Sequence, residues 1–175
     1  MLVSQKNNIY ILGFMGVGKS VTGKLLAERL NRQFVETDNL IESRAGKPIT
    51  KIFEQDGEEQ FRELETSVLK EAAEENNSVI SCGGGIVMKD ENMDLIRKSG
   101  RSIFLNASID TLLERSGDST ERPLLNRLSE EEKRKNIKEI LALRLPIYLS
   151  ADITLDTDDK TPKVIVDELV GLLNR

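Results

Sequence analysis

Histidine is absent from this 175-residue chain, and cysteine occurs once, as Cys82. Without an imidazole, Ser-His-Asp and Cys-His catalysis are excluded, and a solitary thiol argues against a zinc site. One cysteine also rules out an intrachain disulfide. No apolar run approaches the roughly 20 residues that span a bilayer, so no membrane partner is expected. The N-terminus shows no secretory pattern: a short polar lead, Ser4 to Asn8, passes straight into an apolar segment, and a cytoplasmic location is expected. No basic face stands out, and the net charge is −5, which argues against a nucleic-acid partner. Internal repeats and low-complexity linkers are lacking as well.

What is present describes a globular protein. Hydrophobic residues make up 38% and charged residues 31% of a chain long enough for one domain with a full core, taken as 1–175. Short apolar runs alternate with helical patterns. Strands are expected at Ile9–Leu12, Gln33–Glu36, Ser78–Cys82, Arg101–Leu105 and Ala151–Leu155. A helix is expected after the first strand, with Val21, Leu25, Leu26 and Leu30 facing inward. A second runs over Glu58–Glu75, where Phe61, Leu64, Val68, Leu69 and Ala72 keep helical spacing, and a last one over Pro162–Leu173, with proline at a tolerated N-terminal position. Strands separated by helices predict an α/β fold with a parallel sheet, whose ligands lie beyond the carboxyl ends of the strands.

One motif carries the most chemistry. Gly13-Phe14-Met15-Gly16-Val17-Gly18-Lys19-Ser20 fits G-x-x-x-x-G-K-[ST], with a β-type run before it and a helical pattern after it. Glycines let successive N–H groups turn inward around a polyphosphate, and the helix that follows aims its positive end at the same oxygens. Lys19 can bridge β- and γ-phosphates, and the Ser20 hydroxyl can hold Mg²⁺.

Other candidates fall at the same sheet edge. Glu36 and Asp38, two apart at the end of the second strand, are expected to project from one side of an extended segment, where one carboxylate can hold Mg²⁺ through water and the other accept a proton; a helix N-cap at Thr37 or Asp38, for a helix starting at Asn39, is the alternative. Arg62, early in its helix, can grip a carboxylate with two parallel hydrogen bonds, or simply pair with Glu58 and Glu65 at the surface. Gly83-Gly84-Gly85 leaves bare backbone after a core strand, whereas Cys82 reads as core filler. The polar segment Arg115–Leu125 has the composition of a mobile cover, with Arg122 held extended by Pro123; a plain surface loop is the alternative. Arg144 stands near the end of a long charged helix, an ordinary place for a structural arginine.

Taken together, GFMGVGKS, FVETDNLIE, IFEQDGEEQFRELE, CGGGIV, ERPLL and RLPIY resemble the shikimate kinase family over nearly the whole chain. The resemblance implies a P-loop, nucleoside-monophosphate-kinase-like fold with a five-stranded parallel sheet in the order 2-3-1-4-5. It implies ATP-dependent phosphorylation of the shikimate 3-hydroxyl in aromatic amino-acid biosynthesis, Mg²⁺ with ATP, and a monomer with a lid (about 115–127) and a substrate-binding region (about 36–64). Position by position, Gly13, Met15, Gly16, Val17, Gly18, Lys19, Ser20 and Val21 match nucleotide contacts, with Arg115 and Pro162 at the adenine and Arg122 on the lid. Asp38 matches the candidate base, Arg62 and Arg144 the carboxylate clamp, and Gly83, Gly84 and Gly85 the substrate loop. One departure stands at Glu36, where the family usually has aspartate. A contact to Mg²⁺ through water tolerates the longer arm better than direct octahedral ligation does.

The rival expectations are a kinase of another hydroxy acid such as gluconate, a nucleoside-monophosphate kinase, and a non-catalytic ATP-binding module. The first lacks the GEEQFRELE helix, the second needs a base-recognition pocket that is not evident, and the third leaves the paired arginines unexplained.

Overall fold

The computed structural model describes residues 7–116 and 128–174. Five strands, β1 (Asn8–Leu12), β2 (Gln33–Glu36), β3 (Ser78–Ser81), β4 (Gly100–Asn106) and β5 (Ile153–Asp156), form one parallel sheet in the order β2-β3-β1-β4-β5. The helices are α1 (Lys19–Leu30), α2 (Thr37–Ala45), α3 (Ile49–Gln55), α4 (Gly57–Glu74), α5 (Asp90–Ser99), α6 (Ile109–Ser116), α7 (Glu130–Tyr148) and α8 (Pro162–Leu173). The architecture is the one the resemblance implies.

β1 lies in the middle, paired with β3 and β4, so both of its faces are covered and its apolar run is unbroken. Successive side chains point to opposite faces. Ile9 and Ile11 therefore join Val79, Ile103 and Leu105 under α1 and α8, where Leu26, Ala27, Ile165, Val166 and Leu169 pack. Tyr10 and Leu12 join Ile80 and Phe104 on the other side, with Leu69, Ala72, Met93, Ile96 and Tyr148. A smaller third cluster, Ile41, Ile52, Phe61 and Val68, ties α2 and α3 to α4.

Local chemistry sets the element ends. Gly18, in a left-handed conformation (φ 105°), leads into α1, and Asn31 ends it (φ 53°). Ser129 and Glu132 form a reciprocal cap at the start of α7, and the Thr161 side chain caps α8 ahead of Pro162. The expected inward set of α1 is wrong in part: Val21 and Leu25 are 54% and 37% exposed, while Thr22, Gly23, Leu26 and Ala27 are buried. The reason is close approach. A Cβ on Gly23 would stand 2.7 Å from the Phe34 ring and 3.2 Å from Ile11, so the helix meets the sheet through its smallest residues rather than its largest. β5 begins two residues later than expected because the Asp152 carboxylate, not its backbone, accepts from Ser102 N (2.7 Å) and its hydroxyl (2.8 Å). Likewise α2 starts at Thr37 rather than Asn39, and the Thr37 hydroxyl accepts from Gly83 N at 3.0 Å instead of capping its own helix.

Candidate active site

The carboxyl ends of three neighbouring strands, β2, β3 and β1, open into one cleft of about 750 Å³. Each end contributes one part. After β1 comes the glycine loop. Gly13 has φ 148°, and a Cβ there would collide with Leu105 O at 2.7 Å, so no other residue fits this turn. Gly16 (φ 81°) and Gly18 also take left-handed conformations. Lys19 Nζ lies inside the turn, donating to Gly13 O and Phe14 O at 2.9 Å each, at the positive end of α1. The Ser20 hydroxyl donates to the Glu36 carboxylate.

After β2 come Glu36 and Asp38. The expectation that both project from one extended segment fails, because Glu36 is the last extended residue and Asp38 already belongs to α2; both still line the cleft. No side-chain cap is made at this helix start. Asp38 instead turns its Oδ1 inward, where it is buried and accepts no hydrogen bond from the described residues. Burial raises its proton affinity, only partly opposed by Lys19 and Arg62 and reinforced by Glu36 and Glu42.

After β3 come Gly83, Gly84 and Gly85. A Cβ on Gly83 would meet Asp38 Oδ1 at 2.8 Å and Glu65 Oε1 at 2.9 Å. These two oxygens, both buried and both without a hydrogen-bond partner among the described residues, thus converge on one point. Arg62 crosses over Gly85, donates to Glu65 Oε2 at 2.5 Å and holds Glu58 at 3.1 Å. Arg144 reaches the same wall from α7: it is 6% exposed, with Nη1 3.4 Å from the Cβ position of Gly84. The outer wall is apolar, made by Pro48, Ile49, Phe53 and Phe61. Cys82 lines the floor, but burial pushes its thiol well above the usual range, so it is no nucleophile.

A shikimate kinase family model matches residues 15–174. The shikimate kinase of Sulfurihydrogenibium sp. is 42% identical over 168 residues, covering 96% of this chain and 98% of that one. The chain belongs to the shikimate kinase family. Its fold overlays the Acinetobacter baumannii shikimate kinase solved in complex with shikimate at a TM-score of 0.91, with 32% identity over 96% of this chain and 93% of the other. A gluconokinase from Sinorhizobium meliloti shares the fold (TM-score 0.61) at 23% identity, covering 97% of this chain and 93% of the other, and carries no functional weight. The activity is accordingly that of an ATP-dependent kinase.

Within this shikimate kinase fold the remaining expected contacts separate. Arg115 donates to Val17 O (2.9 Å), Thr157 Oγ1 (2.9 Å) and Thr157 O (2.7 Å), drawing the glycine loop and the β5–α8 connection together. Neither Arg115 nor the exposed Pro162 lines the cleft itself. Arg122, with the rest of the expected lid from 117 to 127, lies outside the described residues. Sequence reasoning missed Glu65 as a site residue by reading it as the surface partner of Arg62. The pair forms, but Glu65 is 1% exposed. Its spacing held the clue: four after Phe61 and three before Val68, Glu65 sits within the apolar stripe of α4, where a carboxylate needs a reason.

Gly85 offers a selective test. Its φ of −91° suits any residue, so alanine strains nothing in the backbone, yet the added methyl overlaps the Arg62 guanidinium. Gly85→Ala should keep its fold and its ATP KM while raising the shikimate KM about tenfold or more, the scale of one lost charge-assisted hydrogen bond. Steady-state kinetics against each substrate separately checks this, and an unchanged shikimate KM would mean that Arg62 has another station.

Proposed function

We propose that this member of the shikimate kinase family transfers the γ-phosphate of ATP to the shikimate 3-hydroxyl with the residues gathered at the β2-β3-β1 edge. The observation that carries the reading is the convergence of Asp38 Oδ1, Arg62 and Arg144 on the Gly83–Gly85 turn, beside Lys19. The ATP phosphates lie on the glycine loop from Gly13 to Ser20, whose amides and Lys19 offset their charge. Adenine lies outside the cleft, between Arg115 and the loop before Pro162. The shikimate carboxylate sits between Arg62 and Arg144, and its ring packs on the apolar wall of Pro48, Ile49, Phe53 and Phe61. A linear polyol such as gluconate has no comparable apolar face.

Asp38 accepts the proton of the 3-hydroxyl as that oxygen forms its bond to the γ-phosphorus and the bond to the β-phosphate oxygen breaks, releasing ADP. Burial makes Asp38 a stronger base than a solvated aspartate, which suits the role. Glu65 holds Arg62 by one oxygen and turns the other to the same point as Asp38, as an acceptor for a substrate hydroxyl. Ser20 and Glu36 fit Mg²⁺, because a hydroxyl and a carboxylate already meet at the mouth of the loop, an oxygen-only set that leaves positions for phosphates and water. When bound, the ion neutralises phosphate charge. Arg122 is assigned to the lid and the transferring phosphate on the resemblance alone. The segment 36–64 forms the substrate-binding region, and the chain acts as a monomer.

ADP release measured by a coupled assay tests the function. Release that depends on shikimate, with none on gluconate, is expected. No release with either acceptor would favour a bare ATP-binding module, and release on gluconate the rival kinase.

A further inference from the structure

Arg144 and Tyr148 stand four residues apart on α7, on one face of the helix, with Pro146 between them. Both are buried, Tyr148 completely. The Tyr148 hydroxyl donates to Gly84 O, the middle residue of the glycine turn. Arg144 lies beside that hydroxyl, and its Nη1 lies against the same glycine. The ring cannot drift, because it is stacked on Phe104 at 4.9 Å between centroids and 13° between planes. One phenol oxygen therefore ties α7, beside the clamp arginine, to the backbone turn after β3, 64 residues from Tyr148 in sequence. Burial pushes the phenol up to about 12, so its proton stays in place and it takes no part in acid–base chemistry. What it can do is geometric.

A need for such a restraint is visible in the cleft. Glu65 is close enough for its carboxylate to feel the charge of Arg144, and its Oε1 has no hydrogen-bond partner among the described residues. In a partly desolvated pocket, an unrestrained guanidinium closes on a nearby carboxylate, since the attraction strengthens as water is excluded. An arginine paired with Glu65 offers fewer donors to an incoming substrate carboxylate. The Tyr148 hydroxyl, fixed on Gly84 O, offers Arg144 an acceptor beside the glycine turn, leaving the rest of the fork available.

We propose, on the reading that Arg144 grips the acceptor carboxylate, that Tyr148 is a positioning residue: its hydroxyl aligns Arg144 with the glycine turn and holds it off Glu65. Tyr148→Phe tests this, since it keeps the ring and its stack and removes only the oxygen. The shikimate KM should rise roughly tenfold, the scale of one hydrogen bond to a charged group, with ATP KM unchanged and kcat within about twofold. In an Arg144→Ala background the same substitution should add nothing to the shikimate KM, because its effect passes through Arg144. Thermal melting of all four proteins separates this from general loosening, which would shift both substrates alike. An unchanged shikimate KM in Tyr148→Phe, or the same rise with and without Arg144, would overturn the assignment and leave the clamp standing. An Arg144→Ala enzyme with normal shikimate KM would overturn the clamp, and the role of Tyr148 with it.

Discussion

Asp38→Asn is expected to lower kcat by about 10²-fold or more while ATP binds as before, the range for loss of a general base. The amide keeps the size and one acceptor oxygen of the side chain but cannot take the hydroxyl proton. Its neighbours make the substitution informative. The Asp38 Oδ1 is buried, unpartnered and aimed at the Gly83 turn, so the variant leaves the pocket shape intact and changes only the basicity at that point. Near-normal turnover would reduce Asp38 to a residue that orients substrate.

The same variant has a signature in stability. Burial raises the Asp38 pKa in the folded chain above its unfolded value of about 3.9. Between those two values the native state binds more protons than the unfolded state, so stability falls as pH rises through that window. Above the folded pKa the whole penalty is in place; below the unfolded pKa it is gone. Free of nucleotide and metal, Asp38→Asn should therefore melt higher than the parent at neutral pH, and the difference should shrink as pH falls toward 4. A Tm gap that widens on acidification would show that Asp38 is stabilised as an anion instead. A site residue whose removal stabilises the fold is the expected pattern where function holds a charge out of water.

Arg62→Ala is the second large effect. Arg62 spans Glu58, Glu65 and the Gly85 backbone, and faces the proposed carboxylate position. Losing two parallel charge-assisted bonds should raise the shikimate KM about 100-fold, with little change in ATP KM. There is a cost in stability as well. Glu65 is 1% exposed, and removing the cation beside it leaves a buried carboxylate uncompensated, a loss of about 3–5 kcal/mol in comparable buried pairs. Arg62→Lys separates the two effects: it keeps a charge for Glu65 but not the planar fork, so stability should largely return while shikimate affinity does not. Unaltered shikimate affinity in Arg62→Ala would remove this residue from the clamp.

How far the sequence could be read depends on range. The glycine loop was legible because its chemistry is contiguous: strand, turn and helix occupy about twenty consecutive residues, and each glycine has a local reason. The five strands were legible as apolar runs, since β1, β3 and β4 are covered on both faces. Their order was not; it rests on crossovers that periodicity does not encode, and came from the family resemblance. The inward face of α1 was misread because Gly23, not Val21 or Leu25, makes the close approach to Phe34 and Ile11. The meeting of Glu65, Tyr148 and Thr37 with the glycine turn was illegible for a common reason. Each acts through a partner on another element, brought near by the sheet: Glu65 and Thr37 meet Gly83, and Tyr148 meets Gly84. Arg62 and Arg144, 82 positions apart, could be placed at one site only through resemblance, and the fold brings both to the glycine turn.

The most direct test is a crystal structure of the chain with ADP and shikimate bound together. The account predicts the shikimate carboxylate between the Arg62 and Arg144 guanidinium groups and the 3-hydroxyl within hydrogen-bond distance of Asp38. Shikimate bound with its carboxylate away from both arginines, or its 3-hydroxyl turned from Asp38, would contradict it.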